Sequence, residues 1–138
     1  MTDFLLGAPP SGDAYLRQLA ALLNVGLARK EPELIGLRHS GTSMFIRFRA
    51  RPAAPWVRRH IQSTVAGQGG ATYSTTNYTS SVEVDCRATP QQDATITVTP
   101  GETYYIWLIP IQKDGAGASV LYNGVAADDA MVFAELGV

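Results

Sequence analysis

The order of apolar and polar positions divides the chain in two. From about residue 13 to Arg29 apolar side chains recur at helical spacing. Leu16, Leu19, Leu23 and Leu27 make one stripe; Tyr15, Leu22 and Val25 make a second surface. Ser11 or Asp13 is placed to cap this helix, and Pro32 stops it or lies in the linker that follows. A helix that is apolar on more than one side expects more than one partner surface. Ahead of it, Phe4, Leu5 and Leu6 precede Gly7 and the Pro9-Pro10 pair. They read as an arm whose apolar residues dock onto something.

After Glu33 the period becomes two. Met44, Ile46 and Phe48 face one way, and Arg47, Arg49 and Arg51 the other. Gly41-Thr42-Ser43 is a turn before this strand, and Pro52 and Pro55 break it, with Trp56 in the break. His60 to Ala66 predicts the next strand, ended by Gly67, Gly69 and Gly70. Ala71 to Ser81 reads as an edge strand or a long loop. Val82, Val84 and Cys86 alternate with Glu83, Asp85 and Arg87, and Ile96 and Val98 with Thr95, Thr97 and Thr99. A strand runs from Thr103 to about Gln112, with turns at Asp114-Gly115 and Asn123-Gly124 and a last strand from Met131 to Leu136. The pattern predicts a mostly β chain: an N-terminal arm and one α-helix over 1–33, then an antiparallel β-sandwich over 34–138.

The strand from Tyr104 to Ile111 breaks the amphipathic rule. Tyr105, Trp107, Ile109 and Ile111 oppose Tyr104, Ile106 and Leu108, so both faces are apolar. A sandwich strand normally shows water one face. The second face is therefore expected to be covered, by the N-terminal helix or by another chain.

Composition agrees with one packed domain: 138 residues, 46% hydrophobic, rich in Thr, Ser, Tyr and Gly. The net charge of −1 implies no general polyanion binding, but its distribution is uneven. Leu34 to Val82 contains no acid, while Arg47, Arg49, Arg51, Arg58 and Arg59 cluster around Trp56. From Glu83 onward acids dominate. Such polarity suits an acidic partner surface; equally, the two sets can pair across the sheet, for example Arg47 and Arg49 with Glu83 and Asp85. No nucleic-acid motif accompanies the basic cluster. One cysteine excludes an internal disulfide. The start of the chain has no basic segment of a secretory signal, and no run is long enough to span a bilayer, so a cytoplasmic origin without membrane insertion is expected.

The stretch Val98-Thr-Pro100-Gly101-Glu-Thr-Tyr104, continuing through Ile106 and Leu108 to Gly115, Gly117 and Ser119, resembles a fibronectin type III domain. It matches the end of that family's strand E, the E–F corner and strand F. After Val98, Pro100 and Gly101 would turn the corner, and the Tyr104 hydroxyl would bond back to corner backbone. The family's usual Trp in the second strand is replaced by Met44, Ile46 and Phe48, and the leading helix lies outside its pattern. A different immunoglobulin-like or jelly-roll sandwich is the alternative. Domains of this family mostly bind, and the fold alone names no partner.

Catalytic signals are sparse. There are two histidines, His39 and His60, and no metal-binding or nucleophile-elbow motif. Neither a catalytic site, a metal site nor a cofactor is expected. Gly67-Gln-Gly69-Gly70 lacks the Lys and Ser/Thr of a phosphate loop. Cys86 is in register with core residues, and Asp128-Asp129 reads as solvated.

A binding sandwich without export signal or disulfide resembles a small structural protein of a tailed-bacteriophage virion. That resemblance implies synthesis in the host cytoplasm and a place in the virion, as capsid decoration or as a tail or baseplate accessory. Its partners would be other virion proteins or copies of itself. The expected contact residues are Phe4, Leu5, Leu6, Tyr15, Leu22, Arg47, Arg49, Arg51, Trp56, Arg58, Arg59, Tyr105 and Trp107. Two other readings stand beside it. One is a free carbohydrate- or peptide-binding module using Tyr73, Asn77 and Tyr78. The other is an enzyme with a site built from His39, His60, Cys86 and acids.

Overall fold

The alternation around Met44 produces the strand it predicts, and seven more strands accompany it. In a computed structural model describing residues 29–121 and 131–138, they are β1 (Glu33–Ser40), β2 (Ser43–Arg49), β3 (Trp56–Ser63), β4 (Ser80–Asp85), β5 (Gln91–Thr97), β6 (Thr103–Lys113), β7 (Ser119–Leu121) and β8 (Val132–Gly137). The expected arm, the helix to Arg29 and the Asn123-Gly124 turn lie outside the described residues. No helix occurs among the described residues.

The strands form two antiparallel sheets, one ordered β1-β2-β5 and the other β4-β3-β6, with β7 and β8 sharing the far edge of β6. β8 pairs Thr103 to Leu108 and β7 pairs Ile111 to Lys113. Pro110 falls between the two pairing stretches, the kind of gap in a ladder where proline is tolerated. The sheets share one apolar core. Met44, Ile46 and Phe48 of β2 meet Val57 and Ile61 of β3 and Tyr104, Ile106 and Leu108 of β6. Each such fully buried side chain contributes about 1.5–3 kcal/mol.

Two departures from the sequence reading have local causes. β1 shows no clean alternation because a bulge between Leu34 and Gly36 lets both Leu34 and Leu37 reach the core while Ile35 points to solvent. The third strand begins at Trp56 and ends at Ser63, rather than running from His60 to Ala66. The prolines turn the chain before it: Ala54 donates its N–H to the Arg51 carbonyl at 3.0 Å, so pairing resumes directly after Pro55. Ala71 to Thr79 is loop, part of the long β3–β4 connection, and β4 starts at Ser80.

Candidate functional site

The outer face of the larger sheet carries the unusual chemistry. Trp56, Arg58, His60 and Gln62 of β3 lie across from Ile111, Ile109, Trp107 and Tyr105 of β6. Trp107 is 2% exposed and Ile109 and Ile111 are fully buried, although they point away from the main core. Part of the cover is the β3–β4 connection, residues 64–79, which folds back over the sheet. Its Tyr73 ring stands 5.8 Å from Trp107 and 4.6 Å from His60, and Tyr78 stands 5.3 Å from His60. From the other side Phe133 of β8 packs 5.1 Å from Trp107 and stacks nearly parallel to Tyr105 at 6.4 Å. Thus the chain itself supplies cover for the second apolar face of β6.

Gln62 holds the connection down. Its Nε2 donates to the carbonyls of Gly70 and Thr72 at 2.7 and 2.8 Å, and its Oε1 accepts from the Ser74 N–H at 2.7 Å. Those partners fix the amide orientation. His60 Nε2, 3.0 Å from the same Oε1, must therefore carry a proton and donate it, which leaves Nδ1, 3.1 Å from Ser81 Oγ, to accept. Burial, and secondarily Arg58, push the imidazole below the usual histidine range, while the Gln62 contact opposes this.

At one end of this face lies a charge network. Glu83 accepts from Lys113 at 2.7 Å, Ser119 at 2.6 Å and Arg58 at 3.2 Å. The bonds from Lys113, then Ser119, hold its carboxyl down at about 2. Lys113 also sits 4.5 Å over the Trp56 ring, with Arg87 at 5.3 Å.

The expected basic cluster is not one surface. Trp56 and Arg58 share the outer face with Tyr105 and Trp107. Arg59, one residue on, points to the opposite face beside Leu108 and Val82, its buried Nε without a hydrogen-bond partner among the described residues. Arg47 and Arg49 belong to β2 in the other sheet, and Arg51 follows that strand, bonding the Glu31 carbonyl at 2.9 Å. Cross-sheet pairing with Glu83 and Asp85 is likewise corrected. Arg47 bonds Asp93 at 2.7 and 3.2 Å, Arg49 bonds Gln91 at 3.1 Å and Asp85 bonds Arg87 at 2.8 Å. Strand register places β5, not β4, beside β2. The expected contact residues Phe4, Leu5, Leu6, Tyr15 and Leu22 lie outside the described residues, as does Asp128-Asp129.

The residues considered for a hidden enzyme site are also apart. His39 is exposed at the end of β1, His60 is under the β3–β4 connection and Cys86 is 2% exposed in the main core. Burial, then Asp85, push the Cys86 thiol up to about 11. Among the described residues there is no group of three potential metal ligands, and no helix long and apolar enough to cross a membrane. Sequence reasoning missed Gln62 and Phe133. Nothing about a lone Gln marks it as an anchor, whereas Phe133 was visible only as part of a last strand. Set against protein-family models, curated proteins and solved structures, the chain finds no match.

Proposed function

We propose that this chain is a non-enzymatic assembly module, a structural protein of a tailed-bacteriophage virion built on a fibronectin type III-like sandwich. Support for the family reading comes from the succession of β5, the Pro100-Gly101 turn and β6, which is what strand E, its corner and strand F of that family would give. Support for the assembly role comes chiefly from one observation. The aromatic layer over Trp107 does not end in the interior but runs out to Tyr78 and Phe133, 44% and 45% exposed. Aromatics anchored in a packed layer and open at the rim are the usual anchors of protein interfaces. Around this face Arg58 and Lys113 pair with Glu83, and Arg87 with Asp85, so the contact is carried by these apolar rings rather than by long-range attraction.

The test is a sedimentation measurement of the full chain alone and with capsid and tail subunits. The expected result is association with an assembled particle, weakened at least about tenfold by Phe133→Ala. A lone monomer that binds a glycan on an array, with loss on Tyr78→Ala, would replace this reading by the free-module one, which the exposure of Asn77 and Tyr78 on one loop favours.

A further inference from the structure

His60 sits where the β3–β4 connection, the sheet beneath it and the aromatic layer meet. Its ring is 1% exposed and lies between Tyr73, Tyr78 and Trp107, with centroids 4.6, 5.3 and 5.7 Å away. Its neutral form completes the local network: Nε2 donates to Gln62 Oε1, the atom that also receives the Ser74 N–H, and Nδ1 accepts from Ser81. A second proton finds no matching charge among the described residues. On β3 the facing ion is Arg58, itself a cation. On β4 Ser81 faces the ring, Glu83 is held by Lys113 and Arg58, and Asp85 is held by Arg87. β6 offers Trp107 and Tyr105, β8 offers Phe133, and the connection offers the phenols of Tyr73 and Tyr78. The Gln62 side chain and the Ser74 backbone favour the charged ring, and the Ser81 hydroxyl can turn to accept from Nδ1, but burial outweighs them and neutral acceptors do not replace the water an imidazolium loses.

We propose that His60 is an acid-sensitive latch: a proton taken up by its ring releases residues 64–79 from the sheet and uncovers Trp107. The sign follows from burial. The closed form binds a proton less readily than the open, solvated form, whose histidine titrates near 6.5. Closure is therefore complete above that value and is lost as the pH falls through it toward the closed-state value. The energy needed is that of local opening of a loop. The latch is independent of the virion reading, since it requires no partner. If a partner uses the aromatic face, the same proton changes what that partner meets.

The experiment is hydrogen exchange and ring titration by NMR on the full chain between about pH 7 and about pH 5, the range of histidine switches. The reporter is the Ser74 amide. Its protection should fall about tenfold for each unit separating the closed and open ring titrations, with a midpoint following the His60 ring, while amides in β2 and β6 stay protected. The His60→Gln variant should keep Ser74 protected throughout. Persistent protection at about pH 5, equal loss in His60→Gln, or simultaneous loss in β2 and β6 would each overturn the latch. Should His60→Gln fail to fold, the unaltered chain still decides: opening that does not track the His60 ring signal, separable from His39, refutes it.

Discussion

The Tyr104 hydroxyl accepts the Thr99 backbone N–H at 2.8 Å, across the corner that Pro100 and Gly101 turn between β5 and β6. The ring is 2% exposed and belongs to the main core, so the corner is fixed at once by packing and by a hydrogen bond. Gly101, with φ of 91°, occupies a backbone region that other residues enter at a cost. Tyr104→Phe keeps the ring and strands the Thr99 donor. The expected loss is about 1–3 kcal/mol, read as a lower denaturant midpoint with unchanged slope. An unchanged midpoint would mean the bond contributes nothing to the corner.

Gly69 lets the β3–β4 connection lie close against Gln62 and Asn77. Its φ is +97°, and a Cβ there would lie 2.9 Å from both the Asn77 carbonyl oxygen and Gln62 Nε2. Gly69→Ala combines a disfavoured backbone conformation with a clash against backbone. The predicted cost is about 1–3 kcal/mol, concentrated in the connection. Protease cleavage within residues 64–79 should accelerate while the near-ultraviolet signal of the main core persists. Wild-type cleavage rates in this variant would mean the connection is looser than drawn.

Cys86 is predicted to be inert in the folded protein. Its Sγ is packed in the core, 3.8 Å from the Val84 carbonyl, and its thiol is pushed up to about 11. At neutral pH, labelling with a thiol reagent should proceed only at the rate of opening and become fast in denaturant. Immediate stoichiometric labelling under native conditions contradicts this placement.

Glu83 makes the larger sheet sensitive to acid. Its carboxyl is lowered from 4.5 to about 2, chiefly by Lys113 and Ser119. A group depressed in the folded state stabilises above its unfolded value and ceases to do so as the pH falls through its folded value. Wild-type stability should therefore decline from about pH 4.5 toward about pH 2, and Glu83→Gln should flatten that part of the curve while lowering stability at neutral pH. Parallel curves for the two proteins would remove Glu83 from the account. This range lies below the interval of about pH 7 to about pH 5 in which the His60 latch is tested, so the two can be measured separately.

Much of the fold was legible because its signals are local. Met44, Ile46 and Phe48 announce a strand by alternating with Arg47 and Arg49, and Asp114-Gly115 marks the turn after β6 correctly. Legibility failed where the period was disturbed. In β1 the bulge beside Ile35 converts a spacing of two into one of three, so Leu34 and Leu37 look like no strand face. Around Trp56 the prolines read as a long interruption, though a single tight turn at Arg51 to Ala54 is enough to restart pairing. The candidate site was legible only in part. Trp107 and Tyr105 were marked by the doubly apolar strand, but Arg58 and Arg59 are adjacent in sequence and lie on opposite faces.

By itself the sequence determined the strands with clean alternation, the Pro100-Gly101-Tyr104 corner and the surplus of apolar surface on β6. These depend on neighbours within a few residues, where backbone geometry leaves little choice. The tertiary structure alone decided that Tyr73 would lie on Trp107, that Gln62 would hold Ser74, and that Arg47 would meet Asp93 rather than Glu83. Those pairings join distant segments, and they are selected by strand register and by the need of buried donors and acceptors to find partners, neither of which any short stretch of residues specifies.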